Sequence, residues 1–221
     1  MKILALNGSP RKKVNTSVLI QAVLEEIKNE GIETEEINIA VKNYRGCMDC
    51  RNCWKNHSSQ CIIKGDDFNK TLNKMLEADG IILGSPVYIG DITGQLKNFL
   101  DRACYISFAN GQIFKHKLGA SVVSARRQGS ISALNTLNSF FSTEQMPIVS
   151  SSYWNFALGL DKSDVKKDGE GLEVMRNLGR NMAWLLKSIE YSKNKIPKPD
   201  TPHEIVTILH PENVNILNVN R

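Results

Sequence analysis

The sequence predicts an α/β protein in which helices cover both faces of one parallel sheet. Five short apolar runs, each long enough for one strand, alternate with segments whose apolar residues recur at helical spacing. This alternation is typical of the doubly wound sheet, in which each helix carries the chain back to the start of the next parallel strand. The predicted strands span residues 3–6, 34–39, 81–83, 120–123 and 147–151.

Stripes of apolar residues and polar end residues place the predicted helices. Residues 15–17, Asn-Thr-Ser, can cap the first helix, and Gly31 ends it. Asp66 or Asp67 begins a second helix, after a cysteine-rich loop over residues 44–64. The later helices have apolar stripes at Leu96, Phe99, Leu100 and Ala103, at Ile131, Leu134, Leu137 and Phe141, and at Met175, Leu178, Met182, Leu185, Leu186 and Ile189.

The C-terminal part of the chain differs in character from the rest. After residue 193 it becomes rich in lysine and proline, and a short apolar run follows at residues 205–209. We therefore predict one domain over residues 1–193 and an extension over residues 194–221. We expect the extension to pack on the sheet edge or on another subunit.

Length, charge and cysteine content narrow the functional classes. A net charge of +5 over 221 residues falls short of the dense basic stripes of nucleic-acid-binding proteins. No run is long enough to span a bilayer, and residues 7–10, Asn-Gly-Ser-Pro, interrupt the first apolar run too early for a signal peptide. We therefore expect a cytoplasmic protein that binds neither nucleic acid nor membrane. Because cytoplasmic thiols stay reduced, the five cysteines indicate metal or redox chemistry rather than disulfides.

The loop after the first strand, residues 8–17, has the groups that a phosphate site uses. It combines a helix N-terminus with hydroxyls, an amide and cationic side chains. It matches neither the G-x-G-x-x-G of dinucleotide-binding sites nor the G-x-x-x-x-G-K-[ST] of NTPases. Taken alone, it is equally consistent with a polar turn that leads into a capped helix.

Two further loops favour a binding site. Residues 84–91 follow the third strand and combine glycine and proline with apolar residues and Tyr88, a mixture that suits a flat, half-polar ring system. Residues 124–130 follow the fourth strand and add hydrogen-bond donors and Gly129. Because the carboxyl ends of parallel strands meet at one edge of a sheet, three polar, glycine-bearing loops there indicate a ligand.

The spacing Cys47-x2-Cys50-x2-Cys53-x7-Cys61 is the most specific motif in the chain. Three thiolates at this spacing can hold three corners of a cubane iron–sulfur cluster, and a fourth completes the site. Four-cysteine zinc sites usually contain two separated C-x2-C pairs, so the pattern favours iron–sulfur over zinc, with metal-free thiols as a third alternative. Cys104 lies outside the motif and is predicted to be a small buried apolar residue.

Several of these motifs together resemble the NAD(P)H-dependent FMN reductase family, and most of all its branch of iron–sulfur flavoproteins. The resemblance covers residues 1–190 and implies a flavodoxin-like fold with strand order 2-1-3-4-5 and bound FMN. The chain departs from the family pattern at Val14 and at Ser124-Ala125, where relatives often have glycine. The motifs that carry the resemblance are Gly8-Ser9-Pro10-Arg11 with Asn15-Thr16-Ser17, Gly84-Ser85-Pro86-Val87-Tyr88 with Gly94 and Lys97, and Arg126-Arg127-x-Gly129.

The same resemblance implies which residues bind the cofactors. It implies a [4Fe–4S] cluster on the four cysteines of the loop. Since the cysteine loop follows the second strand, we expect it on the flavin side of the sheet. The residues implied for the FMN phosphate are Ser9, Arg11, Asn15, Thr16 and Ser17. Those implied for the flavin ring are Pro86, Val87, Tyr88, Ile89, Ser124, Arg126 and Gly129, and those for the cluster are Cys47, Cys50, Cys53 and Cys61.

The resemblance implies electron transfer from a donor such as reduced ferredoxin, through the cluster and FMN, to an acceptor such as oxygen, peroxide or a quinone-like molecule. The cofactors carry this chemistry, so we assign no side-chain acid or base. The alternative is an NAD(P)H-dependent FMN or quinone reductase without a functional cluster. A non-catalytic redox sensor ranks third. The family also implies a homodimer or homotetramer.

Overall fold

The computed structural model describes residues 1–12 and 14–202. Its centre is a five-stranded parallel sheet with the order β2-β1-β3-β4-β5, which confirms the predicted fold class and strand order. The strands are β1 (Lys2–Asn7), β2 (Glu33–Asn38), β3 (Gly80–Pro86), β4 (Leu118–Ala125) and β5 (Phe156–Leu158).

Helices connect the strands and cover both faces of the sheet. One face packs against α1 and α6, and the opposite face packs against α3, α4 and α5. The helices are α1 (Asn15–Asn29), α2 (Asn52–Asn56), α3 (Phe68–Glu77), α4 (Gly94–Ala109), α5 (Ser130–Thr143) and α6 (Gly169–Ser192), with a 3₁₀ helix at Asp164–Lys167. None of the helices in the described part of the chain is long and apolar enough to cross a membrane.

The central strands are buried on both faces, which explains why they are continuous apolar runs in the sequence. In β1, Ile3 and Ala5 face the α1 and α6 side, while Leu4 and Leu6 face the opposite side, and all four are fully buried. A strand covered on both faces needs no polar alternation. The outer strand β2 is instead partly exposed and rich in glutamate, a composition that discourages pairing with another sheet.

The prediction of the fifth strand at residues 147–151 is wrong. The strand forms at Phe156–Leu158, and the earlier segment makes only one bridge to the sheet, between Ile148 and Gly119. After Ile148 the outer segment moves away from β4, and it pairs with β4 again at Asn155, whose carbonyl oxygen accepts a hydrogen bond from Val123 N at 3.0 Å. Because β4 advances four residues between these two pairings while the outer segment advances eight, the pairing is interrupted.

The expected cap of the first helix is also corrected. The residue that precedes α1 is Val14, which makes no side-chain cap hydrogen bond, and residues 15–17 form the first helical turn. Their side chains are therefore free to make other contacts. At the C-terminal end, α6 stops at Ser192, next to the predicted boundary of the extension, and the division into domain and extension stays a prediction. The apolar run at residues 205–209 lies outside the described residues.

Candidate functional site

A cavity of about 220 Å³ opens at the carboxyl edge of the sheet. Loops that follow β1, β3, β4 and β5 form its walls, as expected for a doubly wound fold, in which ligands bind at this edge. The structure brings together most of the residues predicted to bind FMN. Those that line the cavity are Ser9, Arg11, Asn15, Thr16, Pro86, Val87, Tyr88, Ser124 and Arg126.

Hydrogen bonds hold the loop after β1 in one shape. Asn7 Oδ1 accepts from Ser9 N at 2.9 Å, and Asn38 Nδ2 donates to Ser9 O at 2.9 Å. On the other side, Thr93 Oγ1 donates to Gly8 O at 2.7 Å, which ties the loop to the start of α4. The loop is therefore preorganised by its neighbours on both β2 and α4.

A buried pair of hydroxyl groups joins the loops of β1 and β4. Thr16 Oγ1 and Ser124 Oγ lie 2.8 Å apart, and both residues are buried. Only one of the two hydroxyls can donate to the other, so one hydrogen remains. No other side chain among residues 1–12 and 14–202 accepts it. A buried polar group without a partner is costly, so this hydrogen suits an oxygen atom of a ligand in the cavity.

Two arginines give the cavity a cationic rim. Arg11 and Arg126 both line it and are exposed to solvent. No described side chain pairs with the Arg11 guanidinium, whose residue is held only through its main chain by Ser9. A free guanidinium beside hydroxyl groups and a helix N-terminus is the set of donors that a phosphate group requires.

The loop after β3 presents apolar side chains beside the cavity. Residues Tyr88 and Asp91 exchange main-chain hydrogen bonds of 2.7 and 3.1 Å and close a tight turn. At its tip Ile89 adopts a left-handed conformation with φ of 48° and its side chain is fully exposed. A β-branched residue is strained in this region, and such strain is often found at ligand sites. The exposed Tyr88 and Ile89 side chains can therefore cover an apolar ring.

Gly129 allows the loops after β3 and β4 to touch. It has a φ of 93°, and a Cβ atom there would lie 2.8 Å from Val87 Cγ1 and 3.0 Å from Gly90 Cα. Both the backbone conformation and the lack of space therefore require glycine. Gly129 and Ile89 lie next to the cavity rather than in its lining, so they act on it through the shape of these two loops.

The structure adds one wall that the sequence analysis missed, residues 159–162 after β5. The sequence analysis placed the fifth strand at residues 147–151 and so assigned no strand to residues 156–158. Residues 159–162 were therefore not recognised as a loop that follows a strand. The usable signal was the short apolar run Phe-Ala-Leu followed by Gly159. In addition, Ser17 points away from the cavity, where its Oγ donates to Glu36 Oε1 at 3.1 Å.

The cysteine loop lies against α4, and its four thiols are free. Cys53, on the short helix α2, is buried with its Sγ 4.0 Å from Tyr105 O, whereas Cys47 and Cys50 are exposed. The main chain of Cys61 is bracketed by one side chain, because its N–H donates to Asn69 Oδ1 at 2.8 Å and its carbonyl accepts from Asn69 Nδ2 at 2.9 Å.

The chemistry of these donors fits an iron–sulfur cluster, in which each thiolate binds a different iron, although the donors are not grouped around one point as they would be for a single metal ion. Burial raises the pKa of the Cys53 thiol, and the nearby Cys47 and Cys50 raise it further. Four cysteine thiols on one loop are soft ligands of the kind that iron–sulfur clusters use. Within residues 1–12 and 14–202, however, no three His, Cys, Asp or Glu side chains are close enough to hold one metal ion.

The cysteine loop runs down α4, away from the carboxyl edge. Gly46 lies beside Asn98, and His57 Nδ1 lies 3.2 Å from the carbonyl oxygen of Ala109, eleven residues further along the helix. At 1.5 Å per residue this corresponds to about 16 Å along the helix axis. The loop therefore starts at the carboxyl edge, where the flavin is predicted to bind, and extends toward the opposite end of the sheet.

Cys104 lies on α4 and is half-buried. Burial raises the pKa of its thiol well above the usual range, and the neighbouring Glu144 carboxyl group, the second largest cause, raises the pKa further. This thiol stays protonated, and Cys104 lies on α4, outside the four-cysteine loop.

Comparisons with known proteins agree with this geometry. Residues 1–161 match the family model described as NADPH-dependent FMN reductase. The chain is 37% identical over 197 residues to an iron–sulfur flavoprotein of Methanocaldococcus jannaschii, covering 86% of this chain and all of that protein. It is 30% identical over 197 residues to an iron–sulfur flavoprotein of Methanosarcina thermophila, covering 88% of this chain and all of that protein.

Solved structures show the same fold. RosB, with bound 8-demethyl-8-formylriboflavin 5′-phosphate, superposes with a TM-score of 0.70 and 16% identity, covering 96% of this chain and 93% of that chain. A flavodoxin from the domain Archaea superposes with a TM-score of 0.56 and 16% identity, covering 85% and 99%. The family match and the identity to complete relatives show that this chain is an oxidoreductase of the NADPH-dependent FMN reductase family and belongs to its iron–sulfur flavoprotein branch.

Proposed function

We propose that the protein transfers electrons from a one-electron donor such as reduced ferredoxin to a small-molecule acceptor, with FMN and a [4Fe–4S] cluster as its carriers. Bound FMN supplies chemistry that handles one or two electrons, and the cluster supplies one-electron transfer. The observation that carries the proposal is the meeting of the four strand-end loops around the paired hydroxyls of Thr16 and Ser124, beside the free guanidinium of Arg11.

In this proposal the cavity holds the phosphate and ribityl chain of FMN. Ser9, Arg11, Asn15 and Thr16 lie where the first turn of α1 points its N–H groups at the cavity. A volume of about 220 Å³ is smaller than the pockets that enclose whole cofactors, which hold about 300 Å³ or more. The flavin ring therefore lies partly outside, against the exposed side chains of Tyr88 and Ile89.

The cluster is assigned to Cys47, Cys50, Cys53 and Cys61. The support comes from their spacing in the sequence, from their free thiols and from the names of the two relatives. The cysteine loop would draw its thiols together as it takes up the cluster. Three of the four thiols lie within residues 47–53, and left-handed conformations at Asp49 and Arg51 bend the chain tightly there. This tight bend favours bringing the three thiols together.

A second candidate function is direct reduction of FMN by NAD(P)H. It is favoured by the family description, which names NADPH, and it does not require the cysteine loop. The two functions differ in what anaerobically purified protein contains and accepts. The first function is supported if the preparation contains iron, acid-labile sulfide and FMN, and if reduced ferredoxin reduces that FMN. Zinc without sulfide, with rapid reduction by NADPH, supports the second.

We also propose that the protein forms a homodimer or homotetramer. Exposed aromatic residues Tyr153 and Trp154 lie in the segment that leaves the edge of β4, with ring centroids 4.7 Å apart. Large apolar side chains at a sheet edge are typical of protein interfaces. Sedimentation equilibrium tests the proposal: a monomer at micromolar concentration would contradict it.

A further inference from the structure

Arg102 is a charged residue in the middle of α4 that is almost completely buried. Its residue is 1% exposed, and its guanidinium carbon lies 3.9 Å from the centre of the Phe68 ring. Arginine is rarely buried to this extent unless its charge is paired. The partner is Asp66, whose side chain is also buried and forms an ion pair with the guanidinium.

The guanidinium contacts both ends of the cysteine loop. Its Nη1 donates to Arg45 O at 3.1 Å, two residues before Cys47, and also to the carboxylate of Asp66, five residues after Cys61. One buried side chain therefore fastens the chain on either side of the four cysteines. Closing a loop at its ends lowers the entropy of the residues between them.

Other residues on the same face of α4 hold the loop between these ends. Tyr105 Oη donates to the Asp49 carboxylate, and the carbonyl oxygen of Ala109 lies 3.2 Å from His57 Nδ1. Positions 98, 102, 105 and 109 follow each other at spacings of four, three and four residues, so they form one stripe along the helix. This face of α4 serves as the platform of the cysteine loop.

Stability alone does not account for a buried arginine at this position. A buried ion pair is on average no more stabilising than well-packed apolar residues of the same volume. The pair is also not fully satisfied, since the Nε of Arg102 has no hydrogen-bond partner among the described residues. What the pair provides, and what apolar residues could not, is a directed connection between two separate segments of the chain, through the main-chain oxygen of Arg45 and the carboxylate of Asp66.

We propose that Arg102, through Asp66, is a positioning residue that fixes the two ends of the cysteine loop, so that its four thiols can close around the cluster and retain it. This inference rests on the proposed function, because it presupposes a cluster on the four cysteines. Residues that orient metal ligands without touching the metal typically change metal affinity by about 10- to 100-fold when they are replaced. We expect an effect of that order on cluster retention.

The test compares Asp66→Asn with Asp67→Asn. Both remove one carboxylate from neighbouring positions, but Asp67 is exposed and, among the residues that the structure describes, forms an ion pair only with Lys42 at the surface. The measurements are iron content after anaerobic purification, the rate of iron loss to a chelator, the midpoint potential of the cluster and the dissociation constant of FMN. We expect Asp66→Asn and Arg102→Lys to lose iron about tenfold faster or more, and Asp67→Asn to match the natural protein.

The FMN dissociation constant and the unfolding midpoint of cluster-free protein separate positioning from a general loss of structure. Positioning leaves FMN affinity unchanged within about twofold, since the flavin cavity is built from other loops. If Asp66→Asn or Arg102→Lys does not fold, the double variant Arg102→Met/Asp66→Asn is tested in its place. It removes both buried charges together, so neither is left unpaired. Equal rates of iron loss in all variants overturn the inference. If the natural protein itself holds no iron and sulfide, the proposed function fails instead.

Discussion

The side-chain amide of Asn15 donates a hydrogen bond to the main-chain oxygen of Asp161, 3.0 Å away and 146 residues later in the chain. Asn15 opens the first turn of α1, and Asp161 belongs to the loop after β5. This contact closes the cavity on the side of the outer strand. The phosphate end of the proposed FMN site therefore depends on two parts of the chain that only the folded sheet brings together.

Replacing Arg11 by alanine removes a guanidinium that has no described partner other than the proposed phosphate. We expect FMN to bind more weakly by about 1.5–3 kcal/mol, the range of hydrogen bonds to charged groups. Riboflavin, which lacks the phosphate, should bind equally well to both proteins. Lys12→Ala is the control, because Lys12 is the next cation along the chain but lies outside this cavity. Quenching of flavin fluorescence measures both affinities, and an equal loss for FMN and riboflavin would place Arg11 elsewhere.

Replacing Gly129 by alanine should displace the loop of residues 87–90. The new Cβ atom meets Val87 and Gly90 and sits on a backbone with a φ of 93°, so we expect a cost of roughly 1–3 kcal/mol in FMN binding and in stability. Gly169→Ala provides the comparison, because a Cβ atom there meets no heavy atom within 4 Å. Calorimetric titration with FMN and thermal unfolding report the two effects. Similar results for the two variants would show that the contact between these loops is unimportant.

Glu144 makes the stability of the protein depend on pH. Burial raises the pKa of its carboxyl group to about 7, although the Ser107 hydroxyl donates to it and lowers the pKa somewhat. The unfolded chain loses this proton near pH 4.5, whereas the folded chain keeps it to about pH 7. The contribution of Glu144 to the free energy of unfolding is therefore fully present below pH 4.5 and is lost as the pH rises to about 7.

Glu144→Gln removes that dependence. A pKa raised from 4.5 to about 7 corresponds to about 3 kcal/mol, so the variant should be more stable than the natural protein at pH 8 by up to that amount. Near pH 4.5 the two proteins should differ little. Urea unfolding at the two pH values tests this. A variant that is less stable at pH 8 would show that the carboxylate is well solvated or paired in the folded state.

Replacing Cys50 by alanine should abolish the cluster while FMN stays bound, because the cavity contains no residue of the cysteine loop. The natural protein should contain about four iron atoms per chain, and the variant should not retain a four-iron cluster. Flavin reduction by a one-electron donor should then slow sharply. Cys104→Ser is the control and should keep its iron, since Cys104 lies on α4 beside Glu144. Undiminished reduction in Cys50→Ala would favour the direct NAD(P)H route.

The sequence by itself determined the parts of the protein that follow from local pattern. The buried strands β1, β3 and β4 are continuous apolar runs because helices cover both faces of the sheet. Each run can be recognised in the sequence without knowledge of the other strands. Parallel strands direct their following loops to one edge, so the meeting of Ser9, Val87 and Ser124 around one cavity could be predicted as well.

Only the tertiary structure decided the features that depend on contacts between distant segments. A three-residue strand at the sheet edge has no period to recognise, so the short apolar run at Phe156–Leu158 was too weak a signal to favour it, and the wall at residues 159–162, over the run at residues 147–151. Adjacent residues on a helix point in directions about 100° apart, and this is why Thr16 faces the cavity while Ser17 faces Glu36. The cysteine loop is joined to α4 at Arg102, whose buried charge pairs with Asp66 only after folding has brought the two residues together.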